Sequence, residues 1–262
     1  WEEIIKRKKL NQNIKDLEGL AYIEDGKFVK TKPRVRIKHI DEIPWPDWEI
    51  FSIEPYLDNA VSFGPGAGRN MPILATRGCP YECTFCSNPV MYGRRYYTRE
   101  IADLIKEIKY YIDKYEITGL QFYDLTAIIK KGWIIEFCKA LRENNINLEW
   151  SLPSGTRSEA LDLDTLKALS AANLRYLVYA PESGSVECLT NIKKKIKLSN
   201  MEKSIKYAIS QGITVRANLI IGFPYETRLQ IYQTLFLQLK YAFIGVEEIP
   251  LYYFNAYPGT EL

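Results

Sequence analysis

Several things are scarce in this chain, and each scarcity closes off a class of function. One histidine, His39, occurs in 262 residues, so there is no histidine pair to complete a zinc site. Five cysteines are too few for a disulfide scaffold, and three of them fall within eight residues, which points to a metal site in a reducing compartment, the cytoplasm. Lys plus Arg is 35 and Asp plus Glu is 32, a balance of +3. So small an excess marks neither a nucleic-acid binder nor a membrane-surface protein. No apolar run approaches the ~18 residues of a spanning helix, and no secretory signal opens the chain. What is present is ordinary globular material: 47% apolar and 26% charged residues, enough for a sizeable core and incompatible with disorder. The length is long for one domain and short for two. The chain starts at Trp1, not at a methionine, and Leu262 follows a turn-like Tyr257-Pro258-Gly259-Thr260. We therefore expect a fragment cut at both ends.

Residues 1–70 differ in texture from the rest. Lys6-Arg7-Lys8-Lys9 lies in a polar opening. Leu20–Ile23 and Lys27–Val29 read as two short strands around the turn Glu24-Asp25-Gly26. Pro44-Trp45-Pro46-Asp47-Trp48 is stiff and extended. Gly64-Pro65-Gly66-Ala67-Gly68 reads as a plain loop, since no strand precedes it as a phosphate-binding fingerprint requires.

From Met71 the pattern is regular. Strands are expected at Met71–Thr76, Gly119–Tyr123, Ile146–Ser151, Leu174–Ala180, Ile213–Ile221 and Val246–Phe254. Helices fall between them. The first has Thr98 as its cap and Ile101, Leu104, Ile105, Ile108 and Ile112 on one stripe. The second carries Trp133, Ile134, Phe137 and Leu141, and the third spans Leu163–Ala172. The fourth has a Ser199/Glu202 capping box and ends at Gly212, and the fifth is Leu229–Phe243. Six strands alternating with five helices make an α/β fold with a parallel sheet and right-handed crossovers, either an open doubly wound sheet or a complete or partial barrel. Both architectures place their chemistry at the carboxyl ends of the strands.

The first strand leads into Arg77-Gly78-Cys79-Pro80-Tyr81-Glu82-Cys83-Thr84-Phe85-Cys86, a C-x3-C-x2-C spacing. Structural zinc usually takes four ligands in two pairs, and no second pair follows. Iron–sulfur clusters are held by cysteine thiolates, usually four. Three thiolates leave one iron without a protein ligand, and an open coordination site is what a metal needs to bind a substrate or cofactor directly. Three reduced core thiols are the plainer alternative, but this spacing in a Gly/Pro loop is not a packing pattern.

The Cys79/Cys83/Cys86 loop, with Phe85 before the third cysteine, resembles the signature of the radical S-adenosylmethionine (radical SAM) superfamily, over roughly residues 71–262. The resemblance implies a partial (β/α)6 barrel without its last helix, a [4Fe–4S] cluster on Cys79, Cys83 and Cys86, and S-adenosylmethionine chelated to the open iron. It implies cofactor contacts at Phe85 and at the later strand ends. Gln121-Phe122-Tyr123-Asp124-Leu125-Thr126 stands where the family meets the cofactor's amino group, through Tyr123 and Asp124, with a helix cap as the other role for Asp124. Ser154 and Arg157 follow the third strand. Arg157 suits the cofactor carboxylate or, alternatively, an ion pair with Glu182. Glu182-Ser183-Gly184-Ser185 resembles the cobalamin-associated group of the superfamily, with Glu182 and Ser183 toward ribose or amine. Asn218–Glu226 resembles the segment whose backbone, at Ile220 and Gly222, supports adenine. Asn218 replaces its first glycine, and Glu226 is a structural residue. Tyr257-Pro258-Gly259-Thr260-Glu261-Leu262 is similar to that group's ending, with Tyr257 near the cofactor.

On the same resemblance, residues 1–43 are the tail of a cobalamin-binding domain whose cobalamin-contacting motifs are absent, 44–70 a linker, and 71–262 the core. His39 is not a cobalt ligand. Cys138 and Cys188 pack in the core, and Lys193-Lys194-Lys195 is a solvated face. The implied function is reductive cleavage of S-adenosylmethionine to a 5′-deoxyadenosyl radical for cobalamin-dependent methylation or oxidative cyclisation of an unactivated carbon. It needs a small-molecule substrate and an external electron donor of flavodoxin or ferredoxin type, with no nucleic acid and no membrane span. Two alternatives stay open: a non-catalytic three-cysteine metal-binding module, and a tRNA methylthiotransferase-like enzyme, whose additional amino-terminal cysteines residues 1–70 lack.

Overall fold

The computed structural model describes residues 1–62, 68–157 and 161–262. Of the Gly64–Gly68 loop only Gly68 lies among them. The chain divides into two units, Trp1–Lys38 and His39–Leu262.

In the first unit, the expected polar opening is helix α1 (Glu2–Lys9), with Glu2 and Glu3 in its first turn and four basic residues in its last. That distribution complements the helix dipole, and no residue of α1 is buried. Strands β1 (Ala21–Glu24) and β2 (Lys27–Lys30) pair antiparallel. Both residues of their two-residue turn have positive φ, Asp25 at 48° and Gly26 at 75°, as a hairpin of this twist requires.

The second unit opens with a 3-10 turn at Ile40–Glu42 and a short helix α2 (Glu54–Asp58). Strand β3 (Asn70–Ile73) follows, then a two-residue ladder of β4 (Thr76–Arg77), with helix α3 (Asn88–Met91) between it and its antiparallel partner β5 (Tyr97–Thr98). From there helices and strands alternate, with two helices after β8: α4 (Ile101–Tyr115), β6 (Gly119–Phe122), α5 (Lys131–Glu143), β7 (Glu149–Thr156), α6 (Leu163–Ala171), β8 (Leu174–Glu182), α7 (Val186–Asn191), α8 (Leu198–Ser210), β9 (Thr214–Ile221), α9 (Arg228–Ile244) and β10 (Leu251–Tyr253). The six-stranded sheet has the order β10-β9-β8-β7-β6-β3, and every pairing in it is parallel. No described helix is long and apolar enough to cross a membrane.

The core lies between this sheet and its helices. Phe122 of β6, Phe137 of α5 and Trp150 of β7 meet with ring centroids 5.2–5.8 Å apart, and Trp150 donates its indole N–H to the Ala172 carbonyl at 2.6 Å, so the large ring is buried with its polar atom satisfied. On α4 the buried stripe is Leu104, Ile105, Ile108, Tyr111 and Tyr115. Ile101 and Ile112 only flank the core. The stretch Pro44–Trp48 is tied down within this unit: Trp45 donates to Asp103 at 3.3 Å and Trp48 to the Tyr111 hydroxyl at 3.0 Å.

Several boundaries differ from the sequence expectation. β7 starts later and runs on through Pro153 and Gly155, where its register against β8 shifts. A bulge accommodates a proline that a regular central strand would not. β10 is three residues long, with Tyr253 at the solvent. Caps differ too. Glu100, not Thr98, precedes α4, and Lys197 precedes α8 with no side-chain cap, so Ser199 lies inside the helix. Glu202 instead meets Lys206 and Lys240. The true capping box is Thr227 with Gln230, at the start of α9. Thr227→Ala should therefore lower stability by about 1 kcal/mol in urea unfolding, whereas Ser199→Ala should stay within about 0.5 kcal/mol. Equal losses would place the boxes wrongly.

Candidate active site

The cysteine loop is an excursion between β4 and β5. Gly78 starts it with φ +85°, and a Cβ there would lie 2.0 Å from the Arg95 carbonyl oxygen, so only glycine fits where the two arms of the excursion cross. Asp124, 1% exposed, fixes the approach. Its carboxylate accepts from the Ala75 backbone at 3.1 Å and from the backbone and hydroxyl of Thr76. Burial pushes its pKa up to about 6, against the pull of those donors. Asp124 is thus neither a helix cap nor a group turned outward. It clamps the end of β3 to the end of β6.

Cys79, Cys83 and Cys86 are half-buried free thiols. The Cys86 amide donates to the Cys83 carbonyl at 3.1 Å, and Asn88 donates its side-chain amide to the Cys79 carbonyl at 3.3 Å. The Thr84 amide donates to Ile192 at 3.1 Å, and the Thr84 carbonyl accepts from Glu261 and Leu262 at 3.1 and 3.2 Å. The segment after α7 and the Pro258–Leu262 ending therefore both brace the loop. Phe85 packs edge-on against Phe223, centroids 5.8 Å apart, in a small cluster with Cys188, Ile192 and Ile220.

Two buried cations stand beside the thiols. Arg157 lies 3.5 Å over the Tyr81 ring, inside the loop, and donates to the Lys195 carbonyl. Lys194 pairs with Glu182 at 2.8 Å, each side chain 8% exposed. Burial pushes the Cys79 and Cys83 thiols up, while Lys194 and Arg157 pull both down. Burial depresses Lys194, but Glu182 and Cys83 outweigh it and its pKa rises. Two sequence expectations need correcting here. Lys194 is not part of a solvated face; only its neighbours are exposed, Lys193 pairing with Glu261 at 2.6 Å. And Glu182 goes to Lys194 rather than to Arg157. Lys194 is the residue sequence reasoning missed. A carboxylate at the end of a strand as buried as β8 was the available signal, because such a group needs a cation.

The remaining predicted residues separate. Glu182, at φ +64°, stands at the β8 end, paired with Lys194. Ser183 is fully buried. Its hydroxyl bonds Thr234 at 3.1 Å and accepts from the Ser185 amide at 3.1 Å, so it ties β8 to α9. Gly184 explains that contact, since a Cβ on it would lie 2.2 Å from the Gln233 carbonyl oxygen. Tyr123 is half-exposed at the end of β6, its hydroxyl donating to Gln121 at 2.9 Å. Ser154 is half-buried in the bulged part of β7. Ile220 is half-buried, and the Gly222 amide donates to Glu226 at 2.6 Å. Tyr257 is 61% exposed. Cys138 and Cys188 are buried, as expected of packing residues.

Three thiols in one loop at the end of the first barrel strand suit a cluster in which each thiolate holds a different iron, and the two buried cations oppose the negative charge such thiolates carry. A family model described as Radical SAM superfamily matches residues 73–237. The chain belongs to the radical SAM superfamily. It is similar over 262 residues, at 26% identity, to an uncharacterized methyltransferase of Pyrococcus horikoshii, covering 100% of this chain and 54% of that one. A cytidylyl-2-hydroxyethylphosphonate methyltransferase of Streptomyces wedmorensis is 29% identical over 82% of this chain and 45% of its own. An anaerobic magnesium-protoporphyrin IX monomethyl ester cyclase of Rubrivivax gelatinosus is 26% identical over 83% and 38%. The fold matches that of the radical S-adenosylmethionine methyltransferase TsrM from Kitasatospora setae, solved with cobalamin and a [4Fe–4S] cluster bound, with TM-score 0.74 and 17% identity over 99% of this chain and 50% of that one. The six-stranded sheet is thus a partial barrel of the radical SAM type. This radical SAM chain spans about half the length of the curated relatives it matches.

Proposed function

We propose that these residues form the catalytic barrel of an enzyme that methylates, or oxidatively cyclises, an unactivated carbon of a small-molecule substrate, with cobalamin held outside the 262 residues. The reading is supported above all by the placement of Cys79, Cys83 and Cys86 in one braced loop, with Lys194 and Arg157 buried beside it. Bound there and reduced, a [4Fe–4S] cluster supplies one electron to the sulfonium of S-adenosylmethionine, giving methionine and a 5′-deoxyadenosyl radical. The three cysteines hold three irons. Lys194 offers a desolvated positive charge to the cofactor's carboxylate, with Glu182 fixing its ammonium. Tyr123, Ser154 and Tyr257 form the rim, the backbone at Ile220 and Gly222 supports adenine, and Phe85 packs behind the loop. In this reading the electron comes from a flavodoxin- or ferredoxin-type donor in the cytoplasm, no nucleic acid is involved, and residues 1–43 and 44–70 are the tail of a cobalamin domain and its linker.

Anaerobic reconstitution with iron and sulfide should give about four irons per chain. The reduced protein's electron paramagnetic resonance spectrum should change when S-adenosylmethionine is added. One zinc and no iron would overturn the reading. The natural protein, purified with cobalamin supplied, should also carry cobalt, and its absence from an active enzyme would remove the cobalamin part alone.

A further inference from the structure

Just before the cysteine loop lies a half-open cavity of about 450 Å³, the size that takes a small organic molecule. Its walls include the rings of Trp45, Trp48, Tyr92 and Tyr123, with Leu74 and Leu125 at the side. Tyr123, Leu74 and Leu125 are all substantially exposed, so apolar and aromatic surface is left to water in a concave site, which calls for an occupant. Another cleft among the described residues, about 720 Å³, runs over α4 and α5 and includes no residue of the cysteine loop.

Two arginines line the aromatic cavity. Arg99 is fully engaged: it meets Glu107 and Asp103 and donates to the Leu74 carbonyl at 3.0 Å. Arg77 is not. Among the described residues its guanidinium meets no carboxylate, and its one contact is the Tyr92 ring, 5.7 Å from the centroid. The cavity thus presents flat rings together with one cation, Arg77, that meets no carboxylate among the described residues.

We propose that this cavity binds the substrate through a flat aromatic portion bearing one carboxylate, with Arg77 as the partner of that carboxylate. The rings select a flat π-system over an aliphatic chain. A single planar fork matches a carboxylate, whereas a phosphate dianion would call for more donors than one exposed guanidinium. The walls are preformed: Pro44 and Pro46 stiffen the strap, and both of its indole N–H groups are already bonded to Asp103 and Tyr111. A ligand therefore meets little ordering cost there. The lining stretch Thr76–Gly78 runs directly into Cys79, so the cavity adjoins the start of the cysteine loop. That the ligand is the substrate rests on the radical SAM function proposed above; that the cavity binds such a molecule does not.

The test is calorimetric titration of the 262-residue chain, without metal, with 1-naphthylacetate and its neutral isostere 1-naphthylacetamide. The acid should bind at one site, about tenfold more tightly than the amide. Arg77→Gln should weaken the acid about tenfold and leave the amide within about twofold. Leu125→Glu should weaken both, and circular dichroism of each variant should match the parent. Equal affinity for acid and amide, an unchanged acid affinity in Arg77→Gln, loss of both probes in that variant, or no binding at all would each overturn the proposal. Probe binding with no cluster assembly would defeat the radical function and leave the cavity assignment. Cluster assembly and cofactor cleavage with no probe binding would do the reverse.

Discussion

Replacing any one of Cys79, Cys83 and Cys86 with Ala is expected to abolish both the brown colour of the reconstituted protein and its cleavage of S-adenosylmethionine. The size of the effect follows from the geometry. Each thiolate of a site-differentiated cluster holds its own iron, and no other cysteine is placed to substitute, because Cys138 and Cys188 are sealed in the core. Two thiolates leave two irons without protein ligands, which a cluster bound by three cannot tolerate. The loop itself should survive the change. Its main braces are backbone bonds from Thr84 to Ile192, Glu261 and Leu262 and the Arg157–Tyr81 contact; the cysteine sulfurs add weak bonds, such as that from the Asn88 amide to Cys86 Sγ at 3.5 Å. Circular dichroism should therefore be unchanged while iron falls to background. Cys138→Ala and Cys188→Ala serve as controls and should keep full iron. Normal iron in Cys83→Ala would sink the assignment of the site.

The elements of this fold with strong periodicity were legible because their burial is one-sided. The α4 and α5 stripes and the buried runs of β6, β8 and β9 are visible as residues 3–4 or 2 apart. The cysteine loop was legible because its spacing has few other uses. What stayed hidden depends on partners distant in sequence. The Thr76–Arg77 ladder with Tyr97–Thr98 is two residues long, below any periodic signal. β7 crosses Pro153 because a bulge against β8 absorbs the missing donor, and a bulge is a property of two strands. Asp124 looks like a cap in isolation. Only the return of β3 beside β6 turns its carboxylate onto Ala75 and Thr76. The tie from the Ser183 hydroxyl to Thr234 was equally hidden, because it depends on α9 packing close at Gly184. Lys194 was the most concealed: three lysines in a row suggest solvent, and the odd one is distinguished only by the Glu182 it meets.

That pair yields the second large effect. Lys194→Met should destabilise the metal-free chain by about 3–5 kcal/mol, because it leaves the Glu182 carboxylate buried with no cation in contact. Both side chains are 8% exposed, so water cannot take over the role of the lost partner as it does at surface pairs. Glu182 is also held at φ +64°, a conformation that itself costs about 1–3 kcal/mol for a residue with a Cβ, so this strand end has little reserve. The double variant Glu182→Gln/Lys194→Met removes both charges and should recover most of the loss, since a buried ion pair often contributes little beyond what neutral packing would. Glu182→Gln alone leaves a buried ammonium and should fall near Lys194→Met, moderated by the thiols of the cysteine loop. Urea unfolding of the four proteins gives the coupling directly. A double variant that loses the sum of the two single losses would mean that the two charges act independently and that Glu182 does not hold Lys194 in place beside Cys83.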